Sequence, residues 1–176
     1  MRNPTQLSKS MQKKIFSYCK KIALKLGIKI GPAKFDLLIS KKKLIILEMT
    51  TRLSGGFDSQ VLVPAATGKN IIKAAMLTSL GYKFDKKLLH TKLNKLAISS
   101  SIWPKAGKIT KIKYIKPKIH KNDVLEVFFT KKKNDIIQNY SNCADRPCFI
   151  IAASSNEKRT INLIKKAKKS ISIITI

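Results

Sequence analysis

Two apolar runs, Phe35-Asp36-Leu37-Leu38-Ile39 and Leu44-Ile45-Ile46-Leu47-Glu48-Met49, are separated only by Ser40-Lys41-Lys42-Lys43. Runs this short, rich in isoleucine and leucine and split by a basic turn, predict the two strands of an antiparallel hairpin. Both are apolar at consecutive positions rather than alternately, which predicts a sheet covered on both faces.

Each run also holds one carboxylate, Asp36 or Glu48, in a chain with only nine acidic residues. An ionised carboxylate inside an apolar hairpin costs several kcal/mol unless something compensates it. A loop of three residues would place Asp36 directly opposite Glu48, and two like charges about 5 Å apart repel. A divalent cation removes that repulsion, and Mg²⁺ favours one or two carboxylates plus substrate phosphates over an all-protein cage. Two alternatives stand beside this reading. A loop of two residues would send the carboxylates to opposite faces, and each carboxylate could instead pair with a nearby lysine.

The hairpin is preceded by a predicted helix over residues 8 to 26, with Met11, Ile15, Cys19, Ile22 and Leu26 on one face and Gly27 as its stop. After it come Thr50-Thr51-Arg52-Leu53-Ser54-Gly55-Gly56 and a second helix over residues 69 to 80, with Ile72, Ala75, Met76 and Leu80 on one side and Gly81 as its stop. The lysine-rich span 83 to 95 reads as a connection. Beyond it the predicted strands are residues 108 to 115, 124 to 130, 136 to 137 and 148 to 153. A helix over 156 to 168, with Ile161, Ile164 and Ala167 inward, and a final strand over 171 to 176 complete the chain. The expected organisation is therefore α+β in two parts, residues 1 to 88 and residues 89 to 176, the second small and β-rich.

Lys+Arg 37 against Asp+Glu 9 gives a net charge of +28. Only Arg2, Arg52, Arg146 and Arg159 are arginines, and the lysines are spread through every segment. A nucleic-acid reader concentrates its charge and uses arginine for bidentate contacts, so nucleic acid is expected to bind at most non-specifically. Cys19, Cys143 and Cys148 lack C-x-x-C spacing, and His90 and His120 stand far apart. That pattern supports neither a zinc site nor a disulfide framework, and all three cysteines are read as reduced. No apolar run approaches the ~20 residues that span a bilayer, so no membrane partner and a cytoplasmic location are expected.

Arg52 followed by Ser54-Gly55-Gly56 joins a fixed guanidinium to a turn whose backbone N–H groups can face an anion. Gly31-Pro32-Ala33-Lys34-Phe35-Asp36, then Glu48-Met49-Thr50-Thr51-Arg52-Leu53-Ser54-Gly55-Gly56, resembles the C-terminal lobe of ATP-grasp ligases, nearest to the carbamoyl-phosphate-synthase and biotin-carboxylase branch. That family runs G-P-x-x-x-D, a hairpin, E-x-N-P-R and, in one subset, S-G-G. Thr50 and Thr51 stand where the family has asparagine and proline. More loosely, Trp103-Pro104, residues 131 to 137 and Asn142-Cys143-Ala144-Asp145-Arg146-Pro147 resemble the small domain that comes after the grasp fold.

The resemblance implies helices on an antiparallel sheet for residues 1 to 88 and a biotin-carboxylase-C-like domain for residues 89 to 176. It implies Asp36, Glu48 and Thr50 as ligands of Mg²⁺, with Mn²⁺ as an alternative ion. Arg52 becomes the catalytic cation, and Ser54, Gly55 and Gly56 become contacts to ATP. The substrates would be a small-molecule carboxylate and a nucleophile, joined in a carboxylate-amine ligation. The glycine-rich flap of such a site does not occur in this sequence, so a partner lobe is expected upstream or in trans, and the chain alone is expected to be inactive. A basic polyanion-binding module and an inactive ligase remnant are the competing readings.

Overall fold

The computed structural model describes residues 1–40, 43–140 and 145–176. The predicted turn lysines Lys41 and Lys42, and Asn142, Cys143 and Ala144 of the looser resemblance, lie outside the described residues. In chain order the elements are β1 (Arg2–Asn3), α1 (Lys9–Lys25), β2 (Lys34–Ser40), β3 (Lys43–Thr50), α2 (Val63–Thr67), α3 (Ile71–Ser79), β4 (Leu96–Ser100), β5 (Gly107–Tyr114), β6 (Val124–Phe129), β7 (Ile136–Ile137), β8 (Cys148–Ser154), α4 (Glu157–Ser170) and β9 (Ile171–Thr175). A π-helical turn at Asp58–Leu62 leads into α2, and a 3₁₀ turn at Lys86–Leu89 comes after α3. The fold class is α+β, with antiparallel sheets throughout. Among the described residues no helix is long and apolar enough to cross a membrane.

The chain forms two compact units. One comprises Met1–Pro4, Gly56–Gly68 and Thr91–Ile176, and the other Thr5–Gly55 and Lys69–His90. The stretch Gly56–Gly68, which lies in the first half of the sequence, thus belongs with the β-rich residues.

In the β-rich unit β8 is the organising strand. It pairs antiparallel with β4 on one side and β6 on the other, and β1 extends the sheet beyond β4. Its sequence Cys148-Phe149-Ile150-Ile151-Ala152-Ala153-Ser154 is apolar on both faces because both are covered. Ile150 and Ala152 join Leu163, Ile164 and Ala167 of α4 in one core, while Ile151 and Ala153 join Leu62, Ala66 and Ala97 in the other. The buried face of α4 is Thr160, Leu163, Ile164 and Ala167, and Ile161, predicted inward, is exposed. A separate sheet runs β7-β5-β9. Gly107 opens β5 at φ 140°, where a Cβ would drive into the Ile176 carbonyl, so only glycine fits beside the last residue of the chain.

In the other unit the Ser8 hydroxyl caps α1 by accepting from the Met11 N–H, and Gly27 leaves the helix at φ 76°. The predicted stripe is the inward one, because Met11, Ile15, Cys19 and Ile22 are half-buried, although Leu26 at its end is exposed. Asn70 caps α3 in the same way, and Gly81 lies just past its end at φ 77°. Ala74 is the buried residue of α3, and Met76 and Leu80, predicted inward, are exposed. The hairpin β2–β3 buries none of its residues. The prediction of a sheet covered on both faces therefore fails for this hairpin: consecutive apolar residues arise there without burial, and Leu38, Ile39, Ile45 and Leu47 all meet solvent.

Candidate functional site

The hairpin places Asp36 directly opposite Glu48, Phe35 opposite Met49 and Lys34 opposite Thr50. Nearer the turn the register differs by one residue: Leu37 lies opposite Ile46, and pairing continues to Ser40 opposite Lys43. Only two residues then separate the strands, the loop length that on its own would send the carboxylates to opposite faces. The ladder shifts between Asp36 and Leu37, where Leu47 is the extra residue of a bulge. A bulge sets two residues against one and re-aims the side chains beyond it. It restores the facing pair that the short loop alone would have lost, and the cost is Leu47 left 66% exposed.

Strand alternation puts Lys34, Asp36, Glu48 and Thr50 on one face of the hairpin. The Lys34 ammonium lies 2.5 Å from Asp36 Oδ2 and 3.8 Å from Glu48 Oε1. One cation therefore serves both carboxylates, where the sequence reading allowed a separate lysine for each. The side chains of Asp36 and Glu48 are 48% and 53% exposed. The burial cost assigned to them from the sequence therefore does not arise. The mutual repulsion of two facing carboxylates remains, and Lys34 offsets it. Lys34 is the site residue that the sequence reading missed. Its signal was its place two residues before Asp36 on a strand, where a period of two puts both on one face.

Beside the pair, Thr50 Oγ1 is buried and has no hydrogen-bond partner among the described residues. A hydroxyl oxygen in that condition has an unused acceptor and donor. Two carboxylates and one hydroxyl on one face form a set of hard oxygen donors, which suits Mg²⁺ or Mn²⁺. Among the described residues no group of three or more His, Cys, Asp and Glu side chains could hold an ion. An ion held here would therefore complete its shell from water or from a bound anion.

Arg52 lies just past the end of β3, exposed, with Nη1 donating to the Leu53 carbonyl at 3.0 Å. Among the described residues nothing stands within 4 Å of where a Cβ on Gly55 would be, which leaves that backbone open to a ligand. Gly56 and Phe57 both adopt left-handed backbone, φ 65° and 62°. Phe57 holds that strained conformation because its ring stacks on Phe128 at 4.1 Å and meets Phe149 edge-on at 5.3 Å.

The fold is that of the C-terminal portion of ATP-grasp ligases. The chain superposes on phosphoribosylglycinamide synthetase from Anaerococcus prevotii with a TM-score of 0.82 and 20% identity, covering 99% of this chain and 44% of that one. It is similar to an L-amino acid ligase from Bacillus licheniformis (TM-score 0.80, 20% identity, 99% and 43% covered). It is also similar to a biotin carboxylase from Campylobacter jejuni, solved with β,γ-ATP (TM-score 0.70, 22% identity, 99% and 39% covered). The chain thus spans less than half the length of each of these proteins. No family model and no curated protein matches it.

Proposed function

We propose that this chain supplies the metal-binding half of the ATP site of a carboxylate-amine ligase. The observation that carries the reading is the bulged register, which sets Asp36 against Glu48 beside the unpartnered hydroxyl of Thr50. In this reading Asp36, Glu48 and Thr50 offer oxygens to Mg²⁺, which when bound neutralises ATP phosphate charge. Arg52 orients the carboxylate substrate or its acyl phosphate through charge-assisted hydrogen bonds. Ser54 and the backbone of Gly55 and Gly56 take phosphate oxygens. Lys34, already between the carboxylates, either moves aside for the ion or turns its ammonium to a phosphate. Catalysis in such a site is positioning and charge stabilisation rather than covalent chemistry by the protein.

The adenine side of the site and the lid that excludes water would come from a partner lobe, upstream or in trans. Residues 1 to 88 would then be the grasp lobe and residues 89 to 176 the appended small domain, with small-molecule substrates and a cytoplasmic setting. The chain is to be combined with an ATP-grasp N-terminal lobe and assayed for ATP-dependent ligation. Asp36→Asn and Glu48→Gln should each abolish turnover. Wild-type rates in both variants contradict the proposal.

A further inference from the structure

A cavity of about 550 Å³ opens between α1 and the turn end of β3, lined by Lys14, Ser17, Tyr18, Lys21, Lys43 and Leu44. Lys14, Ser17, Tyr18 and Lys21 succeed one another at helical steps of three and four, so a single face of α1 forms one wall. Lys43 and Leu44, the first residues of β3, form the other. The lining residues carry three ammonium groups, one serine hydroxyl, one phenol and one leucine side chain, with no carboxylate. α1 itself contains no acidic residue. Lys34 is held by two carboxylates, whereas none of Lys14, Lys21 and Lys43 takes part in the ion pairs found among the described residues.

Three uncompensated ammonium groups around one concavity repel one another, and an anion placed among them relieves that repulsion. Phosphate suits the chemistry, because its oxygens accept from ammonium and hydroxyl donors together. The size falls within the range of small-ligand cavities, and the Tyr18 ring and Leu44 give an apolar rest for an organic group. A nucleic-acid backbone calls for a groove that tracks successive phosphates, and this is a single concavity.

We propose that this cavity is a binding site for a small organic phosphate, separate from the Asp36–Glu48 face. Leu44 and Glu48 are four strand residues apart, about 13 Å at the rise of a β-strand. The two sites also have opposite charge: one takes a cation and the other an anion.

The test is an NMR titration of the full chain with adenosine 5′-monophosphate and, separately, adenosine, both without divalent ions at physiological salt. The monophosphate should saturate, with shifts centred on residues 14, 17, 18, 21, 43 and 44, and adenosine should leave those residues unmoved. Lys14→Ala, Lys21→Ala and Lys43→Ala should each weaken the monophosphate about tenfold, the loss of one charge-assisted contact, while Lys73→Ala on α3 leaves it unchanged. The Asp36→Asn/Glu48→Gln double variant should bind as the wild type does, so failure of the metal site leaves this proposal standing. Shifts spread over the lysines at large, or wild-type affinity in the three alanine variants, overturn it. So does affinity that appears only with long polyuridylate, which marks a non-specific polyanion surface.

Discussion

Asp36 and Glu48 face each other across the hairpin, and Lys34 reaches both. That relationship makes Lys34 a built-in competitor for any cation. Replacing it with methionine keeps an unbranched side chain, one atom shorter, and removes the charge. At the exposure of this site one unit charge nearby is worth about 1 kcal/mol. Lys34→Met should therefore raise Mn²⁺ affinity in the absence of nucleotide by roughly fivefold, measured by proton relaxation enhancement. Unchanged affinity would show that the ion does not bind between these carboxylates.

The turn at Gly56 links the hairpin strand to the aromatic cluster of Phe57, Phe128 and Phe149. An alanine there must adopt φ 65° and bring its Cβ to 3.2 Å from the Phe149 ring. Left-handed backbone costs a non-glycine residue about 1–2 kcal/mol, and the ring must also shift. Gly56→Ala should lower stability in a urea melt by about 2 kcal/mol, whereas Gly55→Ala, with open space around it, should cost far less.

An ion pair buried only on its carboxylate side, in the β-rich unit, predicts an asymmetry. Asp123 is 2% exposed at its side chain and lies 3.3 Å from Arg159 Nε, while Arg159 is 43% exposed. Among the described residues neither Asp123 carboxylate oxygen has a hydrogen-bond partner. Removing the arginine strands a buried charge, which costs about 3 kcal/mol, whereas removing the carboxylate leaves a guanidinium that water can reach. Arg159→Met should therefore destabilise clearly more than Asp123→Asn in chemical denaturation. Equal losses would contradict this reading of the pair.

The ends of α1 and α3 and the start of α4 were legible in the sequence because capping is local. Ser8, Asn70 and Asn156 each accept a backbone N–H three residues on, and Gly27 and Gly81 mark the stops. The short strands 136 to 137 and 148 to 153 were legible from apolar runs between turn residues. β4 was not, since Leu96-Ala97-Ile98-Ser99-Ser100 has weak strand-formers and gains its place by pairing with β8 and β1. At the candidate site the facing of Asp36 and Glu48 was expected from the wrong cause: the loop is short, and a bulge that no local pattern announces corrects the register. The reach of Lys34 to both carboxylates depends on that same register, so it too emerges only from the folded hairpin.

Burial pushes the Cys148 thiol up, against smaller opposing effects of the Ile102 backbone, Ser101 and Lys168. At neutral pH its thiolate fraction is then below that of an ordinary thiol, and it should resist a thiol-reactive dye until the protein unfolds. The linkage has a definite sign. As pH rises past the ordinary thiol value the unfolded chain releases a proton that the folded chain keeps, so stability falls there. Cys148→Ser should flatten that alkaline loss, as measured by urea melts across the range.

The most direct test of the central claim is paramagnetic broadening by Mn²⁺ with ATP, read residue by residue on this chain at millimolar nucleotide. Residues 34, 36, 48, 50 and 52 to 56 should broaden first, and the Asp36→Asn/Glu48→Gln double variant should lose that pattern while its remaining spectrum is unchanged. Absence of broadening at these hairpin residues, or a hairpin pattern that survives in the double variant, would contradict the assignment of the metal-phosphate site to Asp36 and Glu48.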